Sequence, residues 1–528
     1  MQYVCRTTTK KHIRHKTQRK PLCAFYASLW LLLACSACAF QQSEATRARR
    51  ASGGNARIIN VKGGGQLQRA LDDSLPGDEI VLEAGATYNG NFKLPVKSGD
   101  DFITIRSSRC AELPAGVRVS PAQAALMARL ATPNVSPVLL APPGSHHWRL
   151  QCLEFTQGSS VREPGYNLIQ LGEGDRAGQQ KTLESVPHHL ELDRVIVRAR
   201  DDKTAVQRGI SLNSAHTSVT NSHISGIKWD GVETQALCGW NGPGPFEIVN
   251  NYLEAAGINV LFGGATPTIP GLVPSDITIK NNHLVKLLSW RQGDPSYAGT
   301  AWTVKNLLEL KNARRVKIVD NVMENNWLHA QVGWAVIFNT FHDGGWEVIE
   351  DVEFLRNTIR NSTNGINLRG LDTGDTSVRM RRIKIADNLL EGLGAYGQEA
   401  KPFQIVGGSE DVEFDHNTVT NSTHCLVMDT TPGFSHVRLK FTNNIVPHGL
   451  YGVFSDGGAL GKDAMNVRAS DWRMEKNAII AIPPDLKSKY PKNYFPENLN
   501  AATRLSGTDN VPVGVRNPTG KGTSPNPQ

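Results

Sequence analysis

Two short segments of the chain carry side chains that together supply an acid–base group and a cation. Glu309 and Lys311 lie two residues apart, so an extended strand points both to the same side. Arg369 closes a similar segment further along. Removal of a proton next to a carboxylate needs a base, and the negative charge that forms needs a cation beside it. The spacing therefore predicts a catalytic group of Lys311, Arg369 and Glu309, with Lys311 as the base.

Two further chemistries fit the same region. A bound Ca²⁺ is an alternative to Arg369 as the partner of a substrate carboxylate, although the sequence assigns no residue as a metal ligand. Hydrolysis would use two carboxylates, whose separation decides the stereochemical outcome. His329 and His342 are alternative bases, but lone loop histidines are more often bystanders. The acidic residues available for hydrolysis are Asp230, Glu233, Glu309 and Asp343.

Tryptophans are concentrated in the same central part of the chain. Seven of the ten lie between residues 229 and 346. An indole ring stacks on the apolar C–H face of a sugar while its N–H reaches a hydroxyl, and about half of these rings are expected in a site rather than in the core. The predicted substrate-binding residues are Trp240, Trp290, Trp302, Trp334, Asn339 and Asn367.

An internal repeat positions these residues. Its pattern is apolar, any, apolar, any, any, Asn, any, apolar, and its asparagines recur 27 to 39 residues apart. The period-two apolar residues predict a strand with one buried face, and the residues before the asparagine predict a turn. Stacked repeats would join the asparagines in a structural ladder of hydrogen bonds. The ladder positions are Asn251, Asn282, Asn321, Asn357, Asn388, Asn417, Asn444 and Asn477.

A second strand is predicted after each asparagine turn, and its outward residues form a polar stripe. Repeats stack about 4.8 Å apart, which places Lys311 and Arg369 about 10 Å from each other. The longest repeats insert loops beside the stripe, and such loops commonly build a binding site. The predicted segments are 209–213, 257–262, 306–311, 333–339, 365–369, 402–406, 424–429 and 452–456. The outward residues are Asn213, Asn259, Glu309, Lys311, Asn339, Asn367, Arg369, Gln404, Asp429 and Asp456.

The first 39 residues have the form of an export signal. Residues 1–20 carry seven basic side chains and no acidic one, and the apolar run 24–34 that follows is too short to span a bilayer. A lipobox with a lipid anchor on Cys35 and an ordinary cleavage site at 37–39 both fit the end of this run. The predicted location is secreted, periplasmic or on the outer surface.

Removal of the leader changes the charge of the chain. Its seven basic groups account for most of the net charge of +8, so about +1 remains and nucleic-acid binding, which needs a basic face, is not expected. The predicted organisation after the export signal is a polar linker at 40–56, a β-helix domain at 57–500 and a disordered tail rich in Gly and Pro at 501–528.

Four cysteines remain beyond the leader, namely Cys110, Cys152, Cys238 and Cys425. Their spacing is irregular and includes no CxxC pair. A chain of this length buries a sufficient core without disulfides, so four buried free thiols are expected, with a bridge between residues 110 and 152 as the alternative.

The body of the chain opens with a predicted short helix at 63–73, a strand at 79–82 and a turn at 84–86. A helix at this point would cover the strand edge and the core end of the first coil. Together with the coils and the export signal, this arrangement resembles the pectate-lyase-like superfamily over about residues 57–500. The resemblance implies an all-β fold, a single-stranded right-handed parallel β-helix with an N-terminal helical cap.

The resemblance leaves the chemistry open, because this superfamily contains lyases, hydrolases, epimerases and adhesins. The chain has neither the aspartate pairs with Gly-His-Gly of polygalacturonases nor the Arg-His-Gly segment of the chondroitinase B and alginate lyase family. The leading hypothesis is an exported enzyme that degrades or modifies an acidic polysaccharide by elimination or hydrolysis. The rival hypothesis is a non-catalytic polysaccharide-binding or structural surface solenoid. Cofactors other than Ca²⁺ are not expected, since no dinucleotide or phosphate loop is present.

Overall fold

The computed structural model describes residues 56–505 except 176, 341–343, 372–377, 398 and 430–433. The predicted export signal, almost all of the linker and most of the tail lie outside these residues, as do the site candidates His342 and Asp343. The described residues belong to one compact unit.

Three parallel sheets wind around one axis, and most coils contribute one strand to each sheet. Sheet A contains Ile58–Val61, Glu79–Leu82, Ile103–Ser107, His146–Gln151, His188–Asp193, Ala215–Thr220, Phe246–Val249, Ser275–Lys280, Ala313–Val319, Ile349–Leu355, Arg381–Ala386, Glu410–Asp415, His436–Val437, Lys440–Thr442, Ala469–Ser470 and Arg473–Glu475. Sheet B contains Thr87–Asn89, Ala128–Thr132, Leu153–Gln157, Ile196–Arg198, His223–Ile227, Tyr252–Ala255, His283–Val285, Val322–Asn326, Thr358–Ser362, Leu389–Leu393, Thr418–Val419, Ile445–Pro447 and Ala478–Ile480. Sheet C contains Phe92–Lys93, Leu139–Ala141, Gly165–Leu171, Val206–Leu212, Gln235–Gly239, Ile258–Phe262, Asn306–Leu310, Trp334–Asn339, Asn364–Arg369, Phe403–Val406, Leu426–Met428 and Val453–Ser455.

This architecture is a right-handed parallel β-helix, which confirms the predicted fold class. Sheet A holds the apolar pair before each ladder asparagine, and sheet C holds the predicted second strands. The apolar residue after each asparagine, expected to re-enter the core singly, lies in a strand of its own, in sheet B. Four strands of sheet C were not predicted, namely Phe92–Lys93, Leu139–Ala141, Gly165–Leu171 and Gln235–Gly239. The last of them is a short apolar stretch without the alternating pattern.

Helices are short and few in the described part of the chain. The α-helices are Leu67–Asp73, Lys462–Arg468 and Leu499–Arg504, and the 3-10 helices are Cys110–Glu112, Pro121–Leu126, Leu183–Ser185, Leu288–Trp290 and Pro484–Lys489. The first helix buries Leu67, Ala70 and Leu71 against the core, while its role as a cap stays a prediction. Within residues that the structure describes, no helix combines the length and the apolar character that crossing a membrane requires.

Apolar side chains from all three sheets form one core that runs along the axis. In sheet C the alternation is interrupted near the start of the strand, because Leu307 and Leu308 both point inward and are fully buried. Asn259 pairs in the same register position as Leu307 and is also fully buried. Its predicted outward orientation is therefore wrong, since this local irregularity shifts the alternation by one residue.

The asparagine ladder is confirmed. Each backbone N–H from Asn251 onward donates to Oδ1 of the asparagine one coil later, as in the 2.9 Å bond from Asn251 to Asn282. The side-chain amide of Asn251 donates at 3.0 Å to the same oxygen. The ladder continues through Asn477 to Asn493, where the backbone bond is 2.9 Å.

The turn at each ladder asparagine depends on the residue before it. Asn281, Asp320 and Arg356 have φ values of 56°, 58° and 53°, in the left-handed region. This conformation bends the chain from sheet A into sheet B within two residues, so the asparagine that follows can enter the interior.

The cysteines differ in part from the expectation of four free thiols. Cys110 and Cys152 form a disulfide with a Cα–Cα distance of 5.4 Å, because the 3-10 helix Cys110–Glu112 packs beside the turn at Cys152. Cys238 and Cys425 are buried free thiols, as expected.

Candidate functional site

The outer surface of sheet C carries a buried carboxylate at its centre. Glu309 lies in the strand Asn306–Leu310 and is 2% exposed. Its neighbours across the sheet are Leu261 and Ile337, so neither adjacent coil offers it a charged partner at the same register position. Its Oε2 atom has no hydrogen-bond partner among the described residues. A buried, incompletely paired carboxylate is costly for folding, which makes it a candidate for function.

Two lysines, Lys311 and Lys305, partly compensate the negative charge of Glu309. Nζ of Lys311 lies 3.4 Å from Oε1 of Glu309. Burial raises the pKa of Glu309, and the nearby ammonium groups of Lys311 and Lys305 oppose the rise without cancelling it. The carboxylate of Glu233 adds to the rise. Glu309 therefore holds its proton to a higher pH than an ordinary glutamate.

A glycine pair lets the neighbouring turn approach Lys311 closely. Gly263 and Gly264 have φ values of 88° and 87°, conformations that favour glycine. A Cβ on Gly263 would lie 2.4 Å from the backbone nitrogen of Asn312, and one on Gly264 would lie 3.4 Å from Cδ of Lys311. The turn thus packs against the lysine stem, which is held with only 20% of its side chain exposed.

A chain of polar contacts extends from the lysines to a tryptophan. Lys305 forms an ion pair with Glu233. Glu233 also accepts a 2.8 Å hydrogen bond from the side-chain amide of Gln235. The side-chain Oε1 of Gln235 in turn accepts one of 3.1 Å from Arg208. The Arg208 guanidinium lies 5.4 Å from the ring centre of Trp240. The site therefore holds two carboxylates within a surplus of cations.

The predicted tryptophans divide between core and surface. Trp290 and Trp334 are only 5% and 3% exposed, so neither offers a ring face to a sugar. Trp240 is half-buried, donates its indole N–H to the Gly174 carbonyl at 3.2 Å and packs against Gly174. Trp302 is also half-buried, with Nζ of Lys228 at 5.5 Å from its ring centre. Trp240 and Trp302 stay predicted substrate-binding residues, whereas Trp290 and Trp334 lie in the protein interior.

Two further aromatic residues lie on the surface near this region. Tyr166 is 58% exposed and its ring centre is 5.9 Å from that of the half-buried Trp229. The loop of Trp229 is joined to that of Trp302, because the Trp229 carbonyl accepts a 3.3 Å hydrogen bond from Thr303. Trp229 and Thr303 shortly precede Glu233 and Lys305 in the sequence, so their hydrogen bond lies near that ion pair. Trp229 was not among the predicted substrate-binding residues.

The remaining predicted residues follow the same sheet toward the C-terminus. Asn339 and Arg369 are paired in register, and the strand of Asn339 separates Arg369 from the strand of Glu309. Asn367 donates a 2.9 Å hydrogen bond to Gln404. The structure thus brings Glu309 and Lys311 into direct contact, whereas Arg369 lies two strands away from them on the same surface.

Sheet A also has a shallow groove on its outer surface, but the charged residues along it form ion pairs with one another. Arg315 pairs with Asp276 at 2.7 Å and Arg382 with Asp351 at 2.5 Å. These pairs join adjacent coils and are about half exposed, as expected of solvated structural charges. We therefore place the candidate active site on sheet C.

A calcium site on the outer face of sheet C stays a prediction. Carboxylate oxygens are the ligands that Ca²⁺ prefers, and Glu309 and Glu233 are the acidic residues nearest to Lys311 and Lys305. Among the described residues, neither of these glutamates belongs to a group of three potential metal ligands.

Lys305, Arg208 and Gln235 were missed by the sequence prediction. Arg208 and Gln235 are in adjacent strands of sheet C at the same register position. Position in the repeat could have paired them, but Lys305 lies in a loop whose path the repeat does not determine.

No family model matches this chain, and no curated protein matches it. Solved structures are similar at the level of fold. The PL6 family alginate lyase AlyGC has 15% identity and a TM-score of 0.45, with 86% of this chain and 58% of that chain covered. The catalytic unit of a GH87 α-1,3-glucanase from Streptomyces thermodiastaticus has 10% identity and a TM-score of 0.44, covering 80% and 68%. The PL6 family polysaccharide lyase Pedsa3628 from Pseudopedobacter saltans has 12% identity and a TM-score of 0.39, covering 88% and 96%.

These likenesses assign neither a family nor an activity. The fold is established by the coils themselves. Three parallel sheets and an internal asparagine ladder make the molecule a right-handed parallel β-helix.

Proposed function

We propose that this protein cleaves an acidic polysaccharide on the outer face of sheet C, with Glu309 as the residue that transfers a proton. The observation that carries the proposal is the burial of Glu309 beside Lys311, with one carboxylate oxygen left without a partner in the described residues. A raised pKa suits a carboxyl group that must donate a proton near neutral pH.

Cleavage of a glycosidic bond requires a proton on the departing oxygen, and Glu309 supplies it in this proposal. In elimination, the Glu309–Lys311 pair reacts with its shared proton on Glu309, so Lys311 is a neutral amine and takes the proton next to the uronate carboxylate. The electrons of that C–H bond form the new C=C bond as the C–O bond breaks, and the proton of Glu309 goes to the leaving oxygen. Lys305 and Arg369 are then the cations that neutralise charge on the substrate carboxylate.

In hydrolysis, the same proton donor would act with Glu233 as the second carboxylate. Glu233 would then activate a water molecule or attack the sugar itself. The two reactions differ in their products, because elimination creates an unsaturated sugar and hydrolysis does not. We favour elimination, since a lysine rather than a second carboxylate contacts Glu309 directly.

The preference for an acidic substrate rests on the charges on this part of sheet C. Lys305, Lys311 and Arg208 lie there together with two carboxylates, one of which is paired with Lys305. Tyr166 and Trp229 offer ring faces for sugar stacking. A polymer with one carboxylate per sugar would satisfy both features.

A screen of polymers tests the proposal. The purified full chain is incubated with pectate, alginate and glycosaminoglycans, and with a neutral glucan as the control. We expect ultraviolet-absorbing unsaturated products from one of the acidic polymers and no products from the glucan. New reducing ends without ultraviolet absorption would select hydrolysis, and cleavage of the glucan alone would contradict the acidic substrate.

A non-catalytic binding solenoid is the second candidate function, and the contact of the exposed Tyr166 with the half-buried Trp229 favours it. It predicts retention of the protein on a polymer without any product. In that case Trp229→Ala would abolish retention, whereas Glu309→Gln would leave it unchanged.

A further inference from the structure

Five histidines lie side by side on sheet A, away from the site on sheet C. His146 and His147 begin one strand, His188 and His189 begin the next, and His216 follows in the third. His146 pairs in register with His188. Their rings stack between coils with centre distances of 4.9 Å for His146–His188, 4.4 Å for His147–His189 and 4.5 Å for His189–His216.

The nitrogen atoms of two coils meet at one point. Nδ1 of His146 lies 2.8 Å from Nδ1 of His147, and Nδ1 of His188 lies 2.7 Å from Nδ1 of His189. One potential ligand atom from each of His147, His188 and His189 lies within 4.8 Å of the others. Nitrogens around a tetrahedral Zn²⁺ are about 3.3 Å apart, so small side-chain rotations suffice to close these three around an ion.

In later coils, charged residues occupy the positions equivalent to these histidines. His147, His189 and His216 have φ values of 57°, 54° and 47°. Their counterparts in later coils, also with positive φ, alternate in charge and pair across coils, and they are Asp276, Arg315, Asp351, Arg382, Asp411 and Arg438. Alternating charges neutralise one another, whereas a row of histidines has no such internal complement.

A second group of ligands overlaps the first and reaches the surface. Asp100 is exposed and groups with His146 and His147 as a further set of potential ligands. His188 and His189 are half-buried, so an ion can enter from solvent. Glu191 lies on the same strand, but Arg149 at 2.5 Å already compensates its charge. Asp100 is therefore the carboxylate that favours a cation beside these imidazoles.

We infer that His147, His188 and His189 bind one divalent transition-metal ion, with Asp100 or His146 as a further ligand. Imidazole nitrogen suits Zn²⁺, Cu²⁺ and Ni²⁺ and does not suit Ca²⁺ or Mg²⁺. The ion would join two adjacent coils of sheet A. This site is independent of the proposed activity on sheet C.

Metal titration of the full chain, produced without a histidine tag, tests the inference. We expect one Zn²⁺ or Cu²⁺ per chain by calorimetry, nitrogen ligands in the electron paramagnetic resonance spectrum of the Cu²⁺ form, and no binding of Ca²⁺ at this site. His189→Asn and His147→Asn should each weaken Zn²⁺ binding at least about tenfold. Asparagine is the replacement of choice because it tolerates positive φ.

The matched control is His216→Asn, which changes a stacked histidine outside the ligand group at a position that also has positive φ. It should leave Zn²⁺ affinity within about threefold, since it removes no ligand. Thermal unfolding of each metal-free variant verifies that it is folded. No Zn²⁺, Cu²⁺ or Ni²⁺ binding by the wild type would overturn the inference, and so would equal losses of affinity in His189→Asn and His216→Asn.

Discussion

On the outer face of sheet A, charges of opposite sign alternate from coil to coil, whereas on sheet C the central carboxylate has apolar residues on both sides. Lys317, Glu353 and Lys384 follow one another in register on sheet A. Glu309 on sheet C lies between Leu261 and Ile337. Both surfaces come from the same repeat, so the difference is not imposed by the backbone.

The comparison separates two roles of charge. A charge that repeats with the coil has its complement one coil away and remains in water, which makes it weakly stabilising. A charge that breaks the repeat and is buried costs free energy, so it persists where the surroundings compensate it or where function needs it. The predictions below test this separation.

The largest effect is expected for Glu309→Gln. The amide cannot donate a proton to the leaving oxygen, so product formation should fall about 10²–10⁴-fold on the polymer identified by the screen. The control is Glu353→Gln, the same substitution on sheet A, which should leave the rate within about twofold. Equal rates for the two variants would remove Glu309 from the mechanism.

Lys286 is a second buried charge that breaks the repeat, and its replacement should destabilise the fold. Its ammonium is fully buried and donates to carbonyls of Ala255, Ala256 and Gly257 at 2.8–3.1 Å. It also contacts Asn259 at 3.2 Å and the Asn306 carbonyl at 2.9 Å. Burial lowers its pKa well below the usual lysine value, although an environment made of acceptors favours the ammonium.

Lys286→Met keeps the length of the side chain and leaves those acceptors unpaired. The free energy of unfolding should fall by about 3 kcal/mol or more, as measured by chemical denaturation. Lys317→Met, on the exposed face of sheet A, should change it by less than about 0.5 kcal/mol. A similar small change in both variants would show that burial of Lys286 carries no special energetic weight.

Asn357→Ala should have a smaller effect on stability and none on catalysis. The Asn357 side chain is 1% exposed; its amide donates to the Ile318 carbonyl at 2.8 Å, and its Oδ1 accepts from the backbone N–H of Asn321 at 3.0 Å. Loss of these bonds should lower the free energy of unfolding by about 1–3 kcal/mol. Asn500→Ala, in an exposed helix, is the control with an expected change of about 0.5 kcal/mol or less. A free energy of unfolding equal to that of the wild type would show that the ladder does not stabilise the fold.

The smallest effect is expected for Arg315→Ala on sheet A. Arg315 and Asp276 are 48% and 51% exposed, so water already screens their ion pair. The free energy of unfolding should fall by less than about 1 kcal/mol, and the difference should shrink at high salt. A double-mutant cycle with Asp276→Ala measures the pair directly, and a coupling above about 2 kcal/mol would show that the sheet A charges are more than solvated pairs.

The parts of the protein that follow the internal repeat could be predicted from the sequence. The ladder from Asn251 to Asn477 could be predicted because every coil must turn in the same way between sheet A and sheet B. The contact of Glu309 with Lys311 could be predicted because residues two apart in a strand share a face.

The tertiary structure decided which residues meet across different coils. Glu233 and Lys305 are paired across 72 residues, and Cys110 meets Cys152 across 42, because loops outside the repeat bring them together. Loop packing also decided the burial of Trp290, and the sheet C strand Trp334–Asn339 holds Trp334 in the interior. Composition alone could not distinguish either of them from Trp302.

The inward rotation of Asn259 has the same kind of cause. A strand with two consecutive inward residues exchanges its faces at that point, and a period-two pattern carries no signal for such an interruption. Asn259 then lies where Lys286 needs an acceptor. The sequence determines what repeats from coil to coil, because backbone geometry demands it, whereas the contacts of the loops and irregular positions depend on three-dimensional paths that only the folded chain fixes.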